Sequence, residues 1–194
     1  MLDAEAATAE KIRDDDTYAG VRVSLTGSLS AARLTFHVDV NVGDPIWPEP
    51  QPIKLPRLLD GEIVLTGYPL AMVYSEKLVT ALQRGLANTR WRDFADVYLL
   101  SNRHDIDGDE LVTAIQQVAQ YRQVVREPLS KALDGYAALA QSRWASWRRK
   151  HRLDSQLPPE FDVVLRRASA LADPALTGRA RGRTWIAATS GWAM

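Results

Sequence analysis

Residues 68–100 read YPLAMVYSEKLVTALQRGLANTRWRDFADVYLL, and inside this stretch the hydrophobic period of the chain changes. Leu70, Val73, Leu78, Ala81 and Leu82 recur at helical spacing and make one broad apolar face. Pro69 suits the first turn, where a missing N–H costs nothing, and Gly85 sits where a helix C-terminal glycine belongs. A second helix, about Trp91 to Leu100, puts Phe94, Val97 and Tyr98 on one face. A third opens near Asp107 or Asp109, either of which can cap it, and buries Leu111, Ile115 and Val118. Further helices are predicted over 128–150 and from Pro159 to about Ala172. The chain then runs into GRARGR, read as a loop, and a short TWIAATSGW segment.

Upstream of residue 68 the period is two. Val21, Val23 and Leu25 alternate with Arg22, Ser24 and Thr26; Leu34, Phe36, Val38 and Val40 alternate with Thr35, His37, Asp39 and Asn41. These are two half-buried strands, expected to form a hairpin with the apolar residues facing a core. Five prolines between 45 and 56 deny ladder hydrogen bonds, so that segment is expected to be extended and irregular. A short strand follows at Glu62 to Leu65. Strands first and helices afterwards is an α+β order, not a doubly wound alternation. The expected division is a strand-rich part over 1–67 and a helical region over 68–194.

Composition narrows the function classes. A chain of 194 residues, 46% hydrophobic and 25% charged, makes one domain or one domain with a small appendage. No apolar run approaches the roughly 20 residues of a membrane helix. The N-terminus, MLDAEAATAEKIRDDD, lacks the basic and apolar regions of a secretory signal. Cysteine is absent, which excludes a disulfide scaffold, thiol catalysis and cysteine-ligated metal sites. A cytoplasmic protein with no membrane partner is expected. The zero net charge hides an asymmetry: residues 1–119 carry 11 Lys and Arg against 18 Asp and Glu, whereas residues 120–194 carry 13 against 6. The basic second half is the footprint of a phosphate-rich partner, or the two halves neutralise each other in the fold.

Several residues can carry chemistry. Asp39 sits within a β run, where aspartate is disfavoured; it is either a carboxylate ligand for a hard cation such as Mg²⁺ or part of an exposed sheet face. Asp44 joins it or only shapes a turn. Lys77 and Arg84, seven apart, project from one side of the first helix. Asp93 and Asp96 share a face of the second helix, near Arg90 and Arg92. Like charges there need compensating cations, so the cluster is a mixed-charge pocket or a structural salt-bridge network. His37, His104 and His151 are scattered, and no HExxH, GxxxxGK[ST] or GxSxG string occurs. In QSRWASWRRKHR, residues 141–152, Arg143, Arg148, Arg149, Lys150 and Arg152 surround Trp144 and Trp147. The arginines are read as phosphate contacts; the tryptophans are core residues or a stacking stripe for an unpaired base.

Taken whole, residues 68–100 closely resemble the signature of the AbiEii-type nucleotidyltransferase toxins. In that family a tyrosine-proline entry leads to an E-K helix, an R-G stop, an N-x-R turn and an R-D-x-x-D helix. Here these are Tyr68-Pro69, Glu76-Lys77, Arg84-Gly85, Asn88 with Arg90, and Arg92-Asp93 with Asp96. Residues 18–50, YAGVRVSLTGSLSAARLTFHVDVNVGDPIWPEP, resemble the family's central strands. The nearest resemblance is to the mycobacterial MenT group. It implies a nucleotidyltransferase fold of the DNA polymerase β superfamily, and NTP-dependent transfer of a nucleotide to an RNA 3′ end, notably tRNA, which blocks translation. It implies Mg²⁺ or Mn²⁺ as cofactor and a cognate antitoxin as partner. It makes Asp39, Lys77, Asp93 and Asp96 the catalytic set, Lys77, Arg84 and Arg90 the NTP phosphate contacts, and Asp39 with Asp44 the metal ligands. Lys77, Arg84, Asp93 and Asp96 are then expected to line one pocket facing the sheet edge that carries Asp39. The family's opening G-S…D-x-D element has no counterpart before Tyr18: Asp14-Asp15-Asp16 has neither the Gly-Ser nor a strand in front of it. A late start that removes the main metal ligands is therefore expected. The alternative function is a catalytically impaired fragment that binds RNA or the antitoxin.

Overall fold

The computed structural model describes residues 2–12, 20–41 and 45–194. Asp14, Asp15, Asp16 and Asp44 lie outside these described residues. The chain divides into two compact units, Met1–Pro45 and Ile46–Met194.

The first unit is an antiparallel sheet of β1 (Leu2–Ile12), β2 (Gly20–Leu29) and β3 (Ala32–Asn41), in that order. The β2–β3 hairpin follows the alternation, with Arg22 opposite Asp39 and Leu25 opposite Phe36. Two expectations fail here. A strand does precede Tyr18: β1 pairs with β2 despite an Ala- and Glu-rich sequence that favours helix, because the ladder overrides local propensity. Nor is β3 half-buried, although Val23 and Leu25 of β2 are. Leu34, Phe36, Val38 and Val40 all stay more than 40% exposed, since the described residues of this unit form only strands and turns and supply no helix to cover a face.

The second unit opens with a hairpin, β4 (Gln51–Pro56) and β5 (Glu62–Gly67). The proline-rich segment, expected to be irregular, is half strand. Pro52 and Pro56 share one parity, so both missing donors fall on the same edge of a two-stranded ribbon, where the ladder does not need them.

Helices follow: α1 (Leu70–Arg84), α2 (Trp91–Ser101), α3 (Gly108–Tyr121), α4 (Leu129–Ala132), α5 (Tyr136–Lys150) and α6 (Phe161–Leu176). Gly85 closes α1 with a φ of 51°, as its position predicts. Asp107 is the cap of α3; its carboxylate accepts from the Glu110 N–H at 2.9 Å. The single helix expected over 128–150 is broken between α4 and α5, where Gly135 takes a left-handed φ of 73°. Each long helix turns its periodic face inward: Leu78 and Val79 from α1, Leu111 and Ile115 from α3, and Val164 and Leu171 from α6 are buried.

GRARGR is a turn, as read, and the short segment after it forms β7 (Thr184–Ile186) and β8 (Gly191–Ala193). With β6 (Ile106–Asp107) they make a small sheet in the order β6-β7-β8. Trp185 is fully buried there, and its indole N–H donates to the Ser101 carbonyl at 2.8 Å. Gly108, the first residue of α3, donates its N–H to the Arg183 carbonyl at 2.9 Å. A Cβ on Gly108 would fall 2.0 Å from the Ala180 carbonyl oxygen and 2.6 Å from that of Arg183. Both obstacles are backbone and cannot rotate away. Gly108→Ala should therefore destabilise the protein by about 1–3 kcal/mol in urea unfolding, despite alanine's better helix propensity. An unchanged midpoint would show that the 180–183 turn yields freely.

Candidate active site

The site grows from the way α1 and α2 meet. On α2, Asp93 and Asp96 are three residues apart and share a face. Phe94 and Val97 occupy the neighbouring stripe and are buried, which anchors the helix and fixes where the two carboxylates point. Lys77, in the middle of α1, reaches between them: its Nζ donates to Asp93 Oδ1 at 3.2 Å and to Asp96 Oδ2 at 2.7 Å. Arg90, just before α2, donates its Nε to the other Asp93 oxygen at 2.5 Å. Asp93 thus has one cation on each oxygen, which is why a carboxylate with a side chain only 10% exposed is tolerated. Asp96, at 37%, is the wetter partner.

The turn before α2 is held as firmly. Asn88, buried, accepts the Arg90 N–H on its side chain at 2.8 Å, and its carbonyl accepts the Tyr136 hydroxyl. Burial pushes the Tyr136 phenol up to about 12, so it stays a donor; nearby Arg143 opposes the shift in part. Sequence reasoning places Asn88 only as part of the N-x-R turn. Its role as the link between α2 and α5 is set by a contact 48 positions away.

Of the pocket expected from sequence, Lys77, Asp93 and Asp96 come together, and Arg90 with them. Arg84 is exposed on the last turn of α1 and makes no ion pair among the described residues. Asp39 belongs to the first unit. There, Arg22 grips it by a bidentate fork, Nε to Oδ1 at 2.7 Å and a terminal nitrogen to Oδ2 at 2.9 Å. This contact raises Arg22 above the ordinary guanidinium value. Among the described residues no three His, Asp or Glu donors converge on one point, and the Arg22 fork occupies both Asp39 oxygens.

The basic cluster on α5 is of mixed character. Arg143, Arg149, Lys150 and Arg152 are exposed. Arg148 is only 12% exposed, donates to the Leu157 carbonyl at 3.0 Å and pairs with Asp154 at 3.1 Å. Trp144 is fully buried and donates to the Pro158 carbonyl at 3.1 Å, whereas Trp147 is half-buried.

A mixed sheet-and-helix chain with a lysine clamped by the two aspartates of an R-D-x-x-D helix is the class of protein this geometry defines. The family model of the nucleotidyl transferase AbiEii toxin of type IV toxin–antitoxin systems matches residues 2–167, and the chain belongs to that family. Its fold is accordingly of the nucleotidyltransferase type. The family's chemistry uses an NTP and a divalent cation, and its biology pairs the toxin with an antitoxin. No curated protein and no solved structure matches the chain. No helix among the described residues is long and apolar enough to cross a membrane.

Removing Lys77 leaves Asp93 and Asp96 facing each other. Lys77→Met should cost about 2 kcal/mol, less than the roughly 3–5 kcal/mol of a fully buried pair because water screens Asp96. A double-mutant cycle with Asp93→Asn should show the two losses to be non-additive. Additive losses would mean that the Lys77–Asp93 contact carries no coupling.

Proposed function

We propose that this chain transfers a nucleoside monophosphate from an NTP to the 3′ end of an RNA, tRNA first among the candidates, and thereby blocks translation. In this reading it stands nearest to the mycobacterial MenT group of its family and works with Mg²⁺ in the cytoplasm. The observation that carries the reading is Lys77 suspended between Asp93 and Asp96 on the R-D-x-x-D helix. An ammonium held by two carboxylates keeps its position before substrate arrives, which is what positioning a phosphate requires. Lys77 would meet the triphosphate as a point charge, and Arg84 as a planar fork from the same side of α1. Arg90 would lend its charge while Asp93 holds it in place. Residues 1–67 would form the strand-rich part of the nucleotidyltransferase domain, and 68–194 its phosphate- and RNA-binding region.

Asp39 and Asp44 are the residues proposed for the divalent cation, whose chemistry when bound is charge neutralisation on the transferred phosphoryl group. A second reading, a binding module that holds RNA or the antitoxin without transfer, is favoured by the engagement of Asp39 with Arg22. Purified protein with Mg²⁺, labelled NTPs and tRNA separates the two. Transfer of label that Lys77→Ala reduces by about a hundredfold or more supports the enzyme. No label with any NTP, together with retained tRNA or antitoxin binding, gives the second reading instead.

RNA is proposed to lie along the exposed cations of α5 and the turn after it: Arg143, Arg149, Lys150 and Arg152. Arg148 would join them only by leaving Asp154. Reversing Arg149, Lys150 and Arg152 to Glu should weaken tRNA binding and flatten its salt dependence, by roughly 0.7–0.9 in slope for each phosphate no longer neutralised. An unchanged slope would take this helix out of the RNA path.

A further inference from the structure

Beside the Lys77 network lies a cleft of about 300 Å³ between α2 and the end of α5. Arg92, Asp96 and Leu99 of α2 form one side; Trp147, His151 and Leu153 form the other. Asp96 belongs to both places, since the carboxylate that holds Lys77 also lines the cleft. The far wall is built rather than incidental. Trp144, Trp147 and His151 follow one stripe of α5 and form a ladder of rings. The first two are stacked 5.5 Å apart, and the His151 ring lies 5.0 Å from Trp147. The ladder begins in the core with fully buried Trp144 and ends in solvent. Beyond α5 the chain reverses through Arg152, at a φ of 55°, and Leu153 donates back to the Arg148 carbonyl at 3.0 Å. The Arg148–Asp154 ion pair pins that reversal.

Flat aromatic surface, an apolar floor and a few polar groups at the rim suit one planar heteroaromatic ring. The volume is at the small end of ligand sites, about 300–1,000 Å³, and is too small for a whole nucleoside triphosphate. We propose that this cleft is a nucleobase pocket: the base stacks against the Trp147–His151 face, Arg92 offers a guanidinium plane or a donor fork to its edge, and its phosphates extend past Asp96 toward Lys77. The proposal rests on the reading of Lys77 as a phosphate ligand only for the direction of the phosphates. The base belongs either to the NTP or to the 3′-terminal nucleotide of the RNA.

Calorimetric titration of the full chain with each of the four NTPs, with inorganic tripolyphosphate and with a five-nucleotide single-stranded RNA tests it. His151→Ala and Trp147→Leu should weaken nucleotide binding by about tenfold while leaving tripolyphosphate binding unchanged. Trp147→Phe, which keeps a ring, should restore most of it. If the variants weaken the NTPs, the base is that of the incoming nucleotide; if they weaken only the RNA, it is the acceptor's. Tripolyphosphate that fails to bind, beside NTP or RNA binding that depends on Trp147, keeps the pocket and discards the phosphate reading of Lys77. NTP and RNA binding indifferent to both His151→Ala and Trp147→Leu, or absent altogether, overturns the pocket.

Discussion

Phe161 opens α6 with no exposure to solvent, and four other rings pack on it: Trp91 and Phe94 from α2, Tyr136 and Trp144 from α5. Three of these contacts are edge-to-face, the arrangement the ring quadrupole favours. Much of the second unit depends on this cluster. It fixes α2 through two residues on its inner stripe, and thereby aims Asp93 and Asp96 outward at α1. It fixes α5 through Trp144, and so sets where Trp147 and His151 emerge. The network around Lys77 and the aromatic cleft are two outlets of one packed core.

The polar links follow from that packing. Once Trp91 and Tyr136 stack at 6.2 Å, the Tyr136 hydroxyl meets the Asn88 carbonyl, and Asn88 in turn holds the Arg90 N–H. Arg90 then sits where its guanidinium can take the Asp93 oxygen that Lys77 leaves. Each of these polar groups is satisfied by the next, so disturbing an apolar contact at Phe161 would be felt as a change in the charges around Lys77.

Much of this was legible in the sequence, and the failures have physical reasons. The helical periods around Lys77 and Asp93 are strong and local, and the R-D-x-x-D spacing puts both carboxylates on one face whatever else packs nearby. Expectation failed where a distant partner decides. Ala9, Glu10 and Lys11 favour helix until β2 offers a ladder. Pro52 and Pro56 look like breakers until their common parity sends both to one edge. Gly135 interrupts a pattern that otherwise continues through Tyr136 and Ala140. The aromatic cleft was half visible: the stripe of Trp144, Trp147 and His151 can be read from spacing, but the facing wall lies far upstream on α2.

The electrostatics of the site also constrain how a triphosphate could enter. Lys77 and Arg90 carry two positive charges and Asp93 and Asp96 two negative ones, so the network is neutral and attracts no anion at long range. An ammonium has three donors, and the two carboxylates take two of them, leaving one for a phosphate oxygen without breaking either hydrogen bond. Further engagement must come at the expense of a carboxylate. Asp96 is the one to yield: it is more exposed than Asp93 and pairs with no second cation among the described residues, whereas Asp93 would also have to release Arg90. In the proposed reading, a phosphate that draws Lys77 away from Asp96 therefore frees a carboxylate at the mouth of the cleft beside Arg92. Loading the phosphate site and reshaping the base site would then be one movement of one side chain.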